Sequence, residues 1–248
     1  MRNLPLRPSL PDKVQKQLAT KTKLILEIPP GEERKKQAEK VYEAARKSKW
    51  FQPVVENLRK LCGEGELCMY CSSNEPSQVE HYRPKSVFPE RALEYENYLW
   101  ACDICNRAKS DRFPPDTEAG ESILNPMEDN VWEHFFLEDT FGRLLKRTDG
   151  ETEKPFPRAE STCKIVGIDR ENVQIKRKYC FSRLKRDIQR ALEDFQKGQG
   201  TVDQLRDEIA RWRTAPFQAD VADYFLKGPG RAEEPFRSAL LAVGEAVP

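Results

Sequence analysis

Apolar residues recur at helical spacing in two stretches ahead of residue 62. Ala38, Val41, Tyr42 and Ala45 sit among alternating charges from about Glu32 to Ser48, and Val54, Val55, Leu58 and Leu61 continue from Phe51. Such repeats predict amphipathic helices, with Pro29-Pro30-Gly31 as a break before them. The period then changes. Val79-Glu80-His81-Tyr82 and Tyr98-Leu99-Trp100-Ala101 are short β-like segments, and a helical stretch starts at Asp103, so a ββα unit is expected. Phe135-Phe136-Leu137 and Leu144-Leu145 flank a turn containing Gly142 and predict a β-hairpin, followed by a polar, proline-containing linker from Thr148 to Pro157. From about Asn172 to Lys197, Phe181, Leu184, Ile188, Leu192 and Phe195 form the apolar stripe of a long helix. Gly198 and Gly200 end it, and Thr201 with Gln204 has the spacing of a capping box opening another helix through about Trp212. Beyond Gly228-Pro229-Gly230, Phe236, Leu240 and Leu241 fit a short docking helix or a disordered tail.

The expected fold class is α+β, mainly α, in four segments: an N-terminal helical segment (1–61), a ββα core (62–116), a hairpin extension with linker (117–157) and a C-terminal helical region (158–248). At 248 residues the chain is one large domain or two small ones. With 33% charged residues and no apolar run near the length of a membrane span, it reads as soluble.

Two Cys-x2-Cys pairs, Cys68/Cys71 and Cys102/Cys105, bracket the β-like segments. Each pair offers two thiolates on a tight turn, and two such knuckles complete the tetrahedral sulfur shell of a structural zinc site, closed to substrate. So small a ββα unit buries too little apolar surface to be stable alone, which is a reason for a metal to staple its ends. Disulfides fit poorly: seven cysteines is an odd count and no apolar N-terminal signal segment is visible, so reduced thiols in a cytoplasm are expected. Cys62, Cys163 and Cys180 then read as packing residues. Zinc also alters the charge balance. The formal net charge is +1, and four thiolates with one Zn²⁺ shift it by about −2 to about −1, so nucleic acid would have to be attracted by local patches.

The order Glu80-His81, Asn97, then Cys105-Asn106-x2-Lys109, set within the cysteine frame, resembles the signature of HNH endonucleases, the zinc-stapled ββα-metal nucleases, over about residues 68 to 114. Val79-Glu80-His81-Tyr82-Arg83-Pro84-Lys85-Ser86 and Leu124-Asn125-Pro126 are similar to a narrower branch, the nuclease subunits of Septu-type and retron-associated antiphage defence systems. Phosphodiester hydrolysis requires a positioned water, a base and positive charge near the developing anionic oxygens. His81 is the expected base, because an imidazole of ordinary pKa, about 6.5, is available in its neutral form at cellular pH. Glu80 and Asn106 offer hard oxygen ligands suited to Mg²⁺ or Mn²⁺, and the resemblance implies that they hold one such catalytic ion. It also implies that Asn97 hydrogen-bonds the backbone around the base and orients it.

Other residues follow from position. Lys109, three residues after Asn106 on the same helical face, is expected beside a bound phosphate. Arg83 and Lys85, on the loop after the base, are candidate contacts to the nucleic-acid backbone. Adjacent strand residues point to opposite faces, so Glu80 and His81 require an irregular backbone if both are to serve one site. Asp111 and Asp116 rank below Glu80 as extra carboxylates, since Pro114 and Pro115 lead the chain away. His134 lies in a mostly apolar stretch and reads as packing. The basic residues of the long helix, including Lys176, Arg177, Lys178 and Arg186, form a phosphate-tracking face, a solvated one or a protein-docking surface.

The resemblance therefore implies a metal-dependent endonuclease of antiphage defence, acting on DNA, with an ABC-type ATPase subunit as partner and a restrained activity released on infection. No Walker-type phosphate loop is present, so any energy-using step falls to another protein. Two alternatives stand beside this: cleavage of RNA, including transfer RNA, and a non-catalytic zinc module that binds nucleic acid or scaffolds the ATPase.

Overall fold

The computed structural model describes residues 1–63, 65–75, 77–114, 123–214 and 219–247. Helix dominates, and the α+β character rests on two small antiparallel hairpins. Helices α1 (Asp12–Leu26), α2 (Glu32–Arg46) and α3 (Gln52–Cys62) precede the first of them. In α2 the buried residues are Ala38, Val41, Tyr42 and Ala45, the apolar positions of the sequence pattern. Helix α3 accepts Pro53 in its first turn, where a missing N–H costs no hydrogen bond. It stops at Gly63, whose φ of 80° suits a residue without Cβ. Helix α1 falls within the helical segment expected over 1–61, but its bounds have no clear period, because its buried Val14, Leu18 and Ile25 are spread thinly among lysine, threonine and glutamine.

Strands β1 (Ser77–His81) and β2 (Tyr98–Cys102) pair antiparallel, Ser77 opposite Cys102 and His81 opposite Tyr98, and lead into α4 (Asp103–Lys109). The ladder is unbroken to His81. The expected irregularity at Glu80-His81 is therefore corrected: each residue has one partner, because the strand ends at His81 instead of bulging there. Strands β3 (Phe135–Leu137) and β4 (Leu144–Lys146) form the second hairpin. Its turn needs Gly142 on two counts: φ is +67°, and a Cβ there would lie 2.4 Å from Cβ of Phe181. The following segment is more than a linker, since Thr148 bridges to Pro155.

Helices α5 (Pro157–Val166), α6 (Glu171–Gln196), α7 (Val202–Arg213), α8 (Ala219–Leu226) and α9 (Phe236–Ala242) complete the chain. Thr201 and Gln204 form the anticipated capping box. The tail is docked: Phe236 is fully buried against Phe225, ring centroids 4.9 Å apart. One apolar core runs from α1 through β2 to α9. Among the described residues no helix is long and apolar enough to cross a membrane. Asp116 and Pro115 lie outside the described residues.

Arg177 does not belong to a basic surface. It is fully buried on α6, its Nε donating to Oδ2 of Asp220 at 2.9 Å and its Nη1 to the carbonyl of Ile168 at 2.8 Å. The α-amino group of Met1 shares the same Asp220 oxygen at 3.1 Å. Burial alone would raise the Asp220 pKa, but Arg177 and the Met1 ammonium outweigh it and hold the carboxyl below the ordinary aspartate range. Removing one member of such a buried set leaves an uncompensated charge, so Asp220→Asn is expected to cost about 3–5 kcal/mol in urea unfolding. This carboxylate contributes its stability above its ordinary pKa of 3.8 and loses it as pH falls through the lower folded value. The acid fall in melting temperature should accordingly be shallower in Asp220→Asn.

Candidate active site

The zinc frame begins with a turn in which the Cys68 N–H donates to the Ser73 carbonyl at 2.8 Å and the Ser72 N–H to the Cys68 carbonyl at 2.9 Å. The Met69 N–H donates to the Trp100 carbonyl at 2.8 Å, which fixes this knuckle against β2. Cys102 is the last residue of β2 and the cap of α4; Cys105 sits in the first turn of that helix. All four sulfurs are buried and lie within 4.8 Å of one another, with Cys71 and Cys102 3.8 Å apart. A tetrahedral site with Zn–S bonds of about 2.3 Å requires sulfurs about 3.8 Å apart, so the donors fit zinc. Hydrogen bonding from the neighbouring thiols, Cys102 foremost, drives the Cys71 pKa well below the ordinary thiol range.

A fifth residue completes this frame. Arg170, preceding α6, donates from Nη1 to Sγ of Cys105 at 3.3 Å and from Nη2 to Sγ of Cys71 at 3.4 Å. Burial lowers its pKa, but Cys105 and Cys71 more than reverse this and leave it raised. One zinc with four thiolates carries a charge of about −2, and a guanidinium beside two of the sulfurs offsets half of it. Lys176 on α6 adds an ion pair to Glu75 at 2.8 Å beside the same knuckle. Nothing in the cysteine spacing points to Arg170, which is 65 residues from Cys105.

His81 is 6% exposed. Its ring lies edge-on to Tyr42 of α2 at 4.5 Å and to Tyr98 of β2 at 5.1 Å. Nε2 is 2.9 Å from the carbonyl oxygen of Ala92. A carbonyl only accepts, so Nε2 carries the proton and Nδ1 keeps the lone pair. The Tyr98 hydroxyl donates to the same carbonyl at 2.8 Å. Burial, reinforced by Lys85 and Lys109 and opposed by the Ala92 bond, lowers the His81 pKa to about 3, so the imidazole is neutral.

Asn97 clamps the backbone beyond the histidine. Its Oδ1 accepts from the Arg83 N–H at 2.7 Å, its Nδ2 donates to the carbonyls of Arg83 at 2.9 Å and Arg91 at 3.2 Å, and its own carbonyl accepts from the Tyr82 N–H at 2.9 Å. This joins the loop after His81 to the segment that presents Ala92. Asn97 is a positioning residue in this geometry, buried away from solvent.

Lys109 departs from its expected place. Its side chain is fully buried, with Nζ donating to Oε1 of Glu80 at 2.7 Å and to the His81 carbonyl at 2.8 Å. It lies beneath the site instead of beside a phosphate, because a buried carboxylate is the stronger partner. Burial disfavours the charge on both Glu80 and Lys109, and each is the other's main counterweight. Glu80 thus leaves β1 toward α4 while His81 leaves it toward α2.

Asn106 is half-buried on α4, and its side-chain amide enters no hydrogen bond among the described residues. Tyr70, in the first knuckle, is wholly buried with a hydroxyl lacking a partner among the described residues; burial and then the charge of Glu80 raise its pKa. Sequence reasoning missed it. The Glu80 carboxylate and the Asn106 amide oxygen are hard donors of the kind that Mg²⁺ or Mn²⁺ takes. Arg83 lies over Phe88 and Phe113 at 5.3 and 5.5 Å, and Lys85 over the ring of Tyr42 at 5.6 Å; both are half-buried. Asp111 is exposed, and its charge is felt by Lys109. His134 packs near Phe156, ring centroids 6.1 Å apart, away from this cluster.

Residues 68–112 match the family model described as HNH endonuclease. The matched residues are the ββα core with its four-cysteine cluster, and HNH endonucleases as a class use a divalent metal to hydrolyse phosphodiester bonds in nucleic acid. The chain is also similar to the Septu protein PtuB of Bacillus thuringiensis, 28% identical over 107 residues, which is 41% of this chain and 38% of that protein. The chain thus spans well under two thirds of the length of that relative.

Elemental analysis should find one zinc per chain, and chelation should unfold the core. Arg170→Met should lose zinc to a chromophoric chelator with an affinity about 10–100-fold weaker, as expected when the partner of a ligand is removed.

Proposed function

We propose that this chain is the effector nuclease of a Septu-type or retron-associated antiphage defence complex, cutting DNA in the cytoplasm in concert with an ABC-type ATPase. The likeness to the Septu protein PtuB supports the setting, and the chemistry rests on one observation: a neutral histidine with a fixed tautomer at the end of a strand whose hairpin is framed by four clustered cysteine sulfurs. Nδ1 of His81 takes the proton of the attacking water. Glu80 and Asn106 would hold a catalytic Mg²⁺ or Mn²⁺, which when bound would supply positive charge to the phosphoryl group under attack. Asn97 keeps the loop and the Ala92 carbonyl in register, so that the imidazole does not rotate. Arg83 and Lys85 meet the nucleic-acid backbone.

An anionic phosphate brought next to His81 raises its pKa from the low resting value toward the range useful to a base. The 6% exposure of His81 beneath Tyr42 supports a restrained resting activity. The assay is cleavage of duplex DNA, single-stranded DNA and RNA by the chain with and without its co-encoded ATPase. His81→Ala should lower DNA cleavage about 10²–10⁴-fold with zinc content and melting temperature retained. Undiminished cleavage in His81→Ala would overturn the assignment, and cleavage confined to RNA would overturn the choice of substrate.

A further inference from the structure

We infer that Lys109 is a positioning residue that fastens Glu80 and the main chain of His81 to the zinc-held helix, and that it does not touch the substrate. The inference rests on the roles proposed for Glu80 and His81 and concerns how those two are held. Adjacent residues of a regular strand project in opposite directions, so a single group can hold both only by taking the side chain of one and the backbone of the other. Lys109 does this: Nζ is 2.7 Å from Oε1 of Glu80 and 2.8 Å from the carbonyl oxygen of His81. Its complete burial leaves no path for a phosphate to reach the ammonium without breaking both bonds.

The location of Lys109 explains why this matters. It is the last residue of α4, one turn beyond the zinc ligand Cys105. A zinc held by the four cysteines would fix the start of the helix, and the lysine carries that fixity across to β1. The bond to Oε1 also selects the carboxylate rotamer, so that the second oxygen has a defined direction for an ion. Lysine suits the task better than arginine, because a compact ammonium can meet a carboxylate and a carbonyl at tetrahedral angles where a planar fork cannot.

The test uses the full chain carrying Lys109→Met, with Lys109→Gln as a second variant that keeps a donor without charge should the first fail to fold. Mn²⁺ affinity, measured by electron paramagnetic resonance without nucleic acid, should fall about 10–100-fold, as for other residues that orient a metal ligand. With substrate, kcat should fall while KM stays within about twofold. Binding to labelled duplex DNA without added Mg²⁺ or Mn²⁺ and without chelator should keep the wild-type salt dependence, whereas loss of a phosphate contact would reduce that slope by about one. A variant with intact Mn²⁺ affinity, raised KM and a shallower slope would overturn the inference and make Lys109 a substrate contact. If the wild-type chain neither binds Mn²⁺ nor cuts nucleic acid, the proposed function fails first, and the melting temperature of the variant then reports only a buried ion pair.

Discussion

The two Cys-x2-Cys turns meet at the open end of a hairpin too small to exclude water by itself, where Ser77 pairs with Cys102, and a metal held by the four clustered sulfurs would make that hairpin rigid. Every other group in the site inherits its place from this clamp. Cys102 ends β2 and begins α4, so one ligand sets both the register of the sheet and the origin of the helix. Zinc is suited to the role because it imposes a tetrahedron without redox chemistry.

Buried charge organises the rest. Three ion sets lie within the fold: Arg170 with the cysteine sulfurs, Lys109 with Glu80, and Arg177 with Asp220 and the Met1 amine. Each joins segments distant in sequence, and each is destabilising if half of it is removed. Arg170, at the start of α6, donates to two of the cysteine sulfurs, so the C-terminal helices are joined electrostatically to the cysteine cluster as well as packed against the ββα core.

Much of the fold was legible because its signals are local. The helical periods of α2 and α3, the two strands, the stripe on α6 and the Thr201 capping box each depend on residues within a few turns of one another. Helix α8 escaped notice because it is buried on nearly every side, and a uniformly apolar stretch has no period to detect. Helix α5 is short and mixed in composition. In the site, the clustering of the four cysteines was readable from spacing, while the situation of Lys109 was not: its partner is 29 positions away, and a lysine near the end of a helix looks like any solvated charge. Arg177 misled for the same reason, with Asp220 43 residues distant. Local pattern registers amphipathicity and motif spacing; it does not register which cations find a carboxylate in the interior.

The Ala92 carbonyl is a small feature with a directional effect. It accepts from both the His81 ring and the Tyr98 hydroxyl, and two donors saturate its lone pairs. That oxygen is therefore committed, and the imidazole cannot hand a proton across it to the protein interior. In the proposed reaction a hydrogen ion captured by His81 would therefore enter and depart by the same nitrogen, which would make the residue a cul-de-sac for protons.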